Sequence, residues 1–222
     1  MDEHRALDAL DDADAVGPEQ RARRDGTRAL AASLRALAAD IVDVDVPPGR
    51  AEELRAGVEG LRARVSGGHR LRYYECDRLE GARAAFVDFS PVSGRSHPLA
   101  LPMEVEHADG PGGAPGVRAR LRIGASREGP PHGVHGGVVA MVFDELLGHA
   151  QQVHGIQALT ASLTVRYRAV TPIDTELEWF ACVVHSGGRR WAGRATCRAG
   201  DVVTAEADAL FVGVDIDAIA GR

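Results

Sequence analysis

One short stretch of the sequence, residues 132–145, has residue types and spacing that could act on a carbonyl group. His135, Gly136 and Gly137 stand directly before a long apolar segment, as at the start of a helix. The first N–H groups of a helix lack partners within it and lie at the positive end of its dipole, and glycines let a ligand approach them closely. This pattern predicts a site for an anion or for the oxyanion formed from a carbonyl.

Three further polar residues follow this helix start. Asp144 and Glu145 lie inside the otherwise apolar segment, and Thr160 opens the next segment. A carboxylate buried among apolar side chains is costly unless it is paired or used, and burial raises its pKa toward that of a general base. The hydroxyl of Thr160 could orient a water molecule or a carboxylate.

The elements before this stretch are predicted to be helical. Two stripes recur at helical spacing, Leu30, Leu34, Leu37 and Ile41, then Leu54, Val58, Leu61 and Val65. Pro47 and Pro48 separate them, and Gly67 marks the end of the second. We expect residues 1–70 to form a helical extension that is partly flexible, above all before Thr27, and that packs on the main domain or a partner subunit. Residues 71–222 form the main domain.

The main domain is predicted to be α+β. Period-two alternation indicates strands at 103–106, 117–123, 159–170, 175–185, 190–199 and 202–214, around one apolar helix at 138–150. Gly187-Gly188 predicts a two-residue hairpin turn. A three-residue loop at 199–201 would pair Thr196 with Thr204 and Arg194 with Glu206. Hairpin-joined strands form an antiparallel sheet, which here would wrap around the helix.

Composition excludes several classes of protein. The net charge is −6 and all 26 basic residues are arginine, which argues against a nucleic-acid partner. No apolar run approaches the ~20 residues of a membrane span, so we expect no membrane partner. The three cysteines, Cys76, Cys182 and Cys197, fit neither a disulfide framework nor a zinc knuckle and predict a reducing, cytoplasmic location.

Other catalytic motifs are missing from the sequence. His132, His135, His149 and His154 have poor spacing for a metal site, so we expect no metal. There is no G-x-S-x-G nucleophile elbow and no G-x-G-x-x-G after a strand, which argues against an α/β-hydrolase and a dinucleotide-dependent enzyme.

The residues from His135 to Asp144 resemble those of the hotdog-fold thioesterases of the PaaI and THEM4-like type, which hydrolyse acyl-coenzyme A. That family has an HGG motif at the start of its central helix and an acidic residue two turns later. The resemblance continues through residues 158–167, Pro172 and the loop 90–100, and it covers about residues 85–214. It implies a hotdog fold, in which an antiparallel sheet wraps one long central helix.

The resemblance also implies roles for individual residues. The N–H of Gly136 would polarise the thioester carbonyl, and Asp144 would activate water or attack directly. Thr160 would assist, and His135 would orient the site without transferring a proton. Glu145, which points about 100° away from Asp144 on a helix, is expected to be exposed or interfacial.

Substrate binding is assigned to Gly137, Arg166 and Arg168. The two arginines share one strand face, which is either a solvated surface or a site for the phosphates of coenzyme A, since the guanidinium fork suits phosphate. The resemblance implies no cofactor, because coenzyme A is part of the substrate.

A dimer is implied by the family and also by helix geometry. Gly136 and Asp144 are eight residues apart, which is roughly 12 Å along one helix. A base or nucleophile acts within ~3–3.5 Å of the carbonyl carbon, so one helix cannot bring both groups to one substrate. Two helices related by a two-fold axis can, which predicts a homodimer, or a dimer of dimers, with two shared sites.

Two alternative functions are compatible with the sequence. A hotdog dehydratase or hydratase would use His135 and Asp144 as a facing acid–base pair. A non-catalytic acyl-CoA-binding module would carry Asp144 as a vestige and dock a partner through its N-terminal helices. The sequence does not indicate the acyl group of the substrate.

Overall fold

A computed structural model describes residues 17–68 and 87–215. The elements are α1 (Pro18–Asp43), α2 (Pro48–Arg64), β1 (Glu104–Asp109), β2 (Pro115–Arg122), α3 (Gly136–Gln152), β3 (Ala158–Tyr167), β4 (Glu176–Gly187), β5 (Arg190–Ala199) and β6 (Val202–Gly213). Two helices, two strands, a central helix and four strands follow one another, as the sequence periodicity predicts. Cys76 and the expected domain boundary at 70/71 lie outside the described residues.

The strands form one antiparallel sheet in the order β1-β2-β4-β5-β6-β3. Its inner face packs on α3, which is apolar nearly all round and therefore buries most of its length. Phe143 of α3 packs edge-to-face on Trp179 of β4, with ring centroids 5.0 Å apart, and both side chains are fully buried. The architecture is α+β with the sheet wrapped on one central helix, which confirms the predicted fold class.

Close approach of the sheet to α3 requires glycine at one position of β5. A Cβ atom on Gly193 would lie 2.8 Å from Leu147 Cδ2 of the helix. The small residue therefore lets the two layers meet at the centre of the core.

The predicted register of the last hairpin is wrong by one residue beside the turn and by two residues farther from it. Ala199 pairs with Val202, so the loop is Gly200-Asp201, and an irregularity before Arg198 shifts the rest of the ladder. Thr196 consequently faces Glu206, and Arg194 faces Asp208. A shift of two keeps every side chain on its predicted face, so the alternating pattern does not distinguish the two registers.

The β4–β5 turn also differs by one residue from the prediction. Gly187 still pairs with Arg190, so the turn residues are Gly188-Arg189. Gly187 and Gly188 have φ values of 109° and 57°, which glycine adopts without strain.

Helix α1 begins at Pro18. The described residues before Thr27, which were expected to be flexible, are therefore part of the helix. Residues 1–16 lie outside the described residues. It contacts the main domain through polar groups. Arg28 Nε lies 2.8 Å from Asp88 Oδ1, and Arg35 donates to the carbonyl of His97 at 2.8 Å. Ala31 is buried between them. The helical extension thus packs on the main domain through an arginine face.

Candidate active site

The chain enters α3 through a tightly hydrogen-bonded loop, residues 127–135. The N–H of His135 donates to the carbonyl of Arg127 at 2.8 Å, and that of Val134 donates to Thr171 at 2.7 Å. His132, at the turn of this loop, has φ 60°, and its N–H donates to the Glu128 carboxylate at 2.5 Å. These bonds fix the position from which the helix starts.

The first amides of α3 are engaged with one exception. His135 caps the helix: its Nδ1 accepts from the N–H of Gly137 at 3.0 Å, and its carbonyl accepts from Val138 and Val139 at 2.8 and 3.2 Å. No residue that the structure describes accepts a hydrogen bond from the N–H of Gly136. Because Nδ1 of His135 serves as a cap, the side chain orients the helix start.

Tyr167 forms a contact that the sequence analysis missed. Its hydroxyl donates to the carbonyl of Gly136 at 2.8 Å, and a Cβ on Gly136 would lie 3.2 Å from that hydroxyl. The alternation of Leu163, Val165 and Tyr167 along β3 was the available signal, because it places all three on the helix side of the strand.

Asp144 lies near the other end of β3. Its side chain is exposed in the single chain, and its Oδ1 accepts a hydrogen bond from Thr160 Oγ1 at 2.9 Å. The structure therefore brings Asp144 and Thr160 together. The burial that the sequence analysis expected for Asp144 is not provided by its own chain, because that face of α3 is uncovered beside the edge strand.

A β-bulge gives Thr160 its orientation. Thr160 pairs with Phe211 and Ser162 with Leu210, so Ala161 has no opposite residue on β6. Phe211 is fully buried against the helix, and residues that pair directly share one face of the sheet. Without the extra residue, Thr160 would point outward with Ser162 instead of toward Asp144.

Glu145, next to Asp144, has a quite different environment. Its Oε1 accepts from the hydroxyls of Ser90, at 2.6 Å, and of Ser93, and lies 3.7 Å from His149 Nε2. The side chain is only 22% exposed, so the expectation that it is exposed is wrong, and the alternative that it is interfacial stays a prediction. The reason is that residues 90–93, distant in sequence, fold over this face of the helix.

The pKa of Glu145 reflects this environment. Burial alone raises the pKa, but the hydrogen bonds from His149, Ser90 and Ser93 and the attraction of the His149 ring outweigh it, and the net pKa is below its ordinary value. The carboxylate is therefore held in its ionised form as a structural hydrogen-bond acceptor. Nδ1 of His149 is buried without a hydrogen-bond partner among the described residues.

Arg166 and Arg168 lie on the exposed outer side of the sheet. Arg166 contacts Asp208, and Arg168 Nη2 lies 2.7 Å from Glu206 Oε2, both across the β3–β6 pair. The ion pair with Asp208 raises the pKa of Arg166. Each guanidinium already has one carboxylate partner.

Two contacts mark the ends of a strip between α3 and β3. Tyr167 meets Gly136 at one end, and Thr160 meets Asp144 at the other. The free amide and the carboxylate are thus about 12 Å apart along the helix, as its geometry requires.

The histidines considered as metal ligands do not converge. In residues 17–68 and 87–215, no three His, Cys, Asp or Glu side chains are grouped so as to hold a metal ion. Within the same ranges no helix is long and apolar enough to cross a membrane.

Comparison with known structures identifies the fold. A crystal structure of a protein described as belonging to the thioesterase superfamily is 25% identical, with 84% of this chain and 90% of that chain covered at a TM-score of 0.67. The PaaI protein of the E. coli phenylacetic acid degradation operon is 16% identical over 50% of this chain and 83% of its own, with a TM-score of 0.45. A hypothetical thioesterase from Streptococcus pneumoniae with coenzyme A is 16% identical over 50% of this chain and 89% of its own, with a TM-score of 0.44.

No family model and no curated protein matches the sequence. The first of these structural matches, together with the sheet order and the central helix, defines the class. The chain has the hotdog fold and is similar to a protein of the thioesterase superfamily.

Proposed function

We propose that the protein hydrolyses an acyl-coenzyme A thioester to the free acid and coenzyme A. The observation that carries the proposal is the pair formed by Asp144 and Thr160, an exposed carboxylate oriented by a hydroxyl that a β-bulge turns toward it. The free N–H of Gly136 is the complementary group, because it is the one amide at the capped helix start without an acceptor among the described residues. A thioester needs these two functions, an activated nucleophile and an oxyanion donor.

The reaction follows from these groups. Asp144 takes a proton from water as the water oxygen attacks the thioester carbon, and the carbonyl oxygen becomes an oxyanion bonded to the N–H of Gly136. The intermediate collapses, the C–S bond breaks, and the proton returns to the leaving sulfur. Direct attack by Asp144 would instead form an anhydride that water then cleaves. Single-turnover hydrolysis in H₂¹⁸O distinguishes the two, because only the anhydride route can leave ¹⁸O in Asp144.

The site is proposed to be shared between two copies of the chain. The strip between α3 and β3 is uncovered, and β3 is the edge of the sheet. Leu159, Tyr167 and Val170 beside it are 52%, 54% and 60% exposed. An apolar edge strand is a template for pairing with another strand. A second copy placed there by a two-fold axis would cover Asp144 and bring it to the other copy's Gly136.

Substrate positioning is proposed for three further residues. Gly137 is exposed at the helix start, and its missing side chain leaves room for the thioester. Arg166 and Arg168 would contact the phosphates of coenzyme A from the outer side of β3, where each would exchange part of its contact with Asp208 or Glu206 for a phosphate.

A thiol-release screen over aliphatic acyl-CoAs of increasing length and aryl-CoAs tests the proposal. We expect free thiol from at least one saturated or aryl thioester and no hydration of an enoyl-CoA. Hydration of the enoyl-CoA without thiol release would favour the dehydratase alternative. Tight acyl-CoA binding with no thiol would favour the binding module.

A further inference from the structure

The N-terminal helix α1 presents its apolar face to solvent. It contacts the main domain through Arg28, Ala31 and Arg35. Leu30, Leu34 and Ile41 lie about 110° around the helix from that face and are 58%, 40% and 50% exposed. An amphipathic helix on a domain surface normally packs its apolar face on the domain and exposes its polar face. The leucine face of α1 therefore requires another partner.

Helix α2 packs on no other element among residues 17–68 and 87–215. Every one of its residues is exposed, including Leu54, Val58 and Leu61. With Val65 they are spaced four, three and four residues apart, which is the spacing of a coiled-coil seam and the same as that of Leu30, Leu34, Leu37 and Ile41 in α1. A 17-residue helix with two internal glycines is not stable alone in water, so its formation requires packing.

The connection between the helices is extended. Val44 and Pro47 are extended, with ψ values of 131° and 147°. Proline fixes its own φ and restricts the preceding residue to extended conformations, so Pro47 and Pro48 keep residues 46 and 47 extended. Leu residues of both seams stay exposed in one chain, so the two seams do not bury each other there.

The two seams are also matched in charge. Among the described residues, Asp40, Asp43 and Asp45 at the end of α1 form no ion pair, and neither does Arg64 in the last turn of α2. The other arginines of α2, Arg50, Arg55 and Arg62, are paired with glutamates of the same helix. The unpaired charges at the ends of the two helices are thus acidic for α1 and basic for α2.

We propose that α1 and α2 form a self-association surface, in which the α2 seam of one copy packs on the α1 seam of a second copy. Two-fold symmetry makes the exchange reciprocal, so the four helices of two copies would form one bundle with both seams buried. This contact is separate from the proposed α3–β3 interface and does not depend on the reaction.

Site-specific photo-crosslinking tests the contact directly. A benzophenone amino acid is placed at Val58, within the seam, and as a matched control at Ala56, which lies on the opposite face of α2. Equal amounts of ¹⁴N- and ¹⁵N-labelled full-length protein are mixed, allowed to exchange, irradiated and digested. We expect peptides that join α2 of one isotope to residues 30–45 of the other from Val58, and none from Ala56.

Paired substitutions test whether the crosslinks depend on the apolar seam of α2. Val58→Asp with Leu61→Asp should abolish the hybrid crosslinks from a probe at Leu54, whereas Ala56→Asp with Ala63→Asp should not. Melting curves check that the main domain stays folded in both. Crosslinks confined to one isotope, crosslinks from α2 to β3, or equal yields from Val58 and Ala56 would each overturn the proposal.

Discussion

Asp144 and Glu145 are neighbours on one helix, yet their surroundings differ in nearly every respect. Asp144 faces the uncovered side of α3, with one hydroxyl partner from β3. Glu145 faces the segment that folds over the helix and is held by Ser90, Ser93 and His149. The first carboxylate is oriented but accessible, and the second is held by hydrogen bonds to one oxygen and is largely enclosed.

The comparison shows that neighbouring carboxylates on one helix can have different roles, one in the reaction and one in the stability of the fold. A largely enclosed carboxylate whose oxygen already accepts two hydroxyl hydrogen bonds is less available to take a proton from water. One with a single orienting partner keeps basic positions free for substrate. We therefore expect substitutions of Asp144 to change turnover and substitutions of Glu145 to change folding.

The largest expected effect is that of Asp144→Asn on kcat. The amide keeps the size of the side chain and its contact with Thr160 but removes the basicity, so kcat should fall by roughly 10²–10⁴. Binding of acyl-CoA and the melting temperature should change little, because the carboxylate acts on the barrier. Glu145→Gln is the matched control. Wild-type kcat in Asp144→Asn, measured by thiol release, would move the reaction to Glu145 or to a histidine.

Gly136→Pro should reduce kcat by ~10²–10³, the usual effect of losing one oxyanion donor. Proline is well tolerated at the first position of a helix, and His135 already has the extended backbone that a residue before proline adopts. Gly136→Ala is the control, because it places the same Cβ near Tyr167 but retains the N–H. If the two variants have equal kcat, the amide of Gly136 is not the oxyanion donor.

Glu145→Gln should lower the free energy of unfolding at neutral pH by about 1–3 kcal/mol while leaving kcat near that of the wild type. Since the folded-state pKa of Glu145 is lowered, its carboxylate stabilises the protein above the ordinary pKa of a glutamate, and this is lost as the pH falls through the lowered value. The difference in stability between the two proteins should therefore shrink in acid. Denaturant titrations from neutral to acidic pH measure it, and a difference that grows in acid would contradict the assignment.

Thr160→Ala should reduce kcat by roughly tenfold, equivalent to ~1.4 kcal/mol, because the hydroxyl only orients Asp144. Thr160→Ser, which keeps the hydroxyl, should retain most of the activity. The same Ala substitution in the Asp144→Asn background should have almost no further effect. Additive losses in this double-mutant cycle would show that Thr160 acts separately from Asp144.

The smallest expected effect is that of Arg166→Gln with Arg168→Gln. Contacts of exposed, solvent-screened charges are weak, so KM for acyl-CoA should rise by no more than about fivefold with kcat unchanged. The rise should disappear for an acyl-pantetheine, which lacks the nucleotide phosphates. An equal rise for both substrates would assign the arginines to the sheet surface alone.

Periodicity predicted most of the fold because the spacing of apolar residues within each helix or strand indicates its type and its buried face. The strand pattern around Leu163 and Val165 and the apolar run around Phe143 are local, so the order of elements followed from them. The β5–β6 register could not be predicted from this local pattern, because Thr196 lies on the same face of the sheet in both registers. The bulge at Ala161 left no local signal either.

The candidate site was predictable only in part, for a related reason. Gly136, His135 and Asp144 lie within ten residues, and their spacing on a helix can be read from the sequence. Glu145 was misplaced because its partners, Ser90 and Ser93, are more than 50 residues away. Pairing over that distance depends on how the chain folds over the helix, which no local pattern records.

The central claim, a site shared between two copies, is tested most directly by a mixed dimer. Gly136→Pro and Asp144→Asn protomers carrying different affinity tags are co-expressed, and the heterodimer is purified through both tags. One of its two sites then combines an intact Gly136 from one copy with an intact Asp144 from the other, so we predict about half the wild-type kcat per dimer. A heterodimer as inactive as the two homodimers would contradict the shared site, because each copy would then need both groups itself.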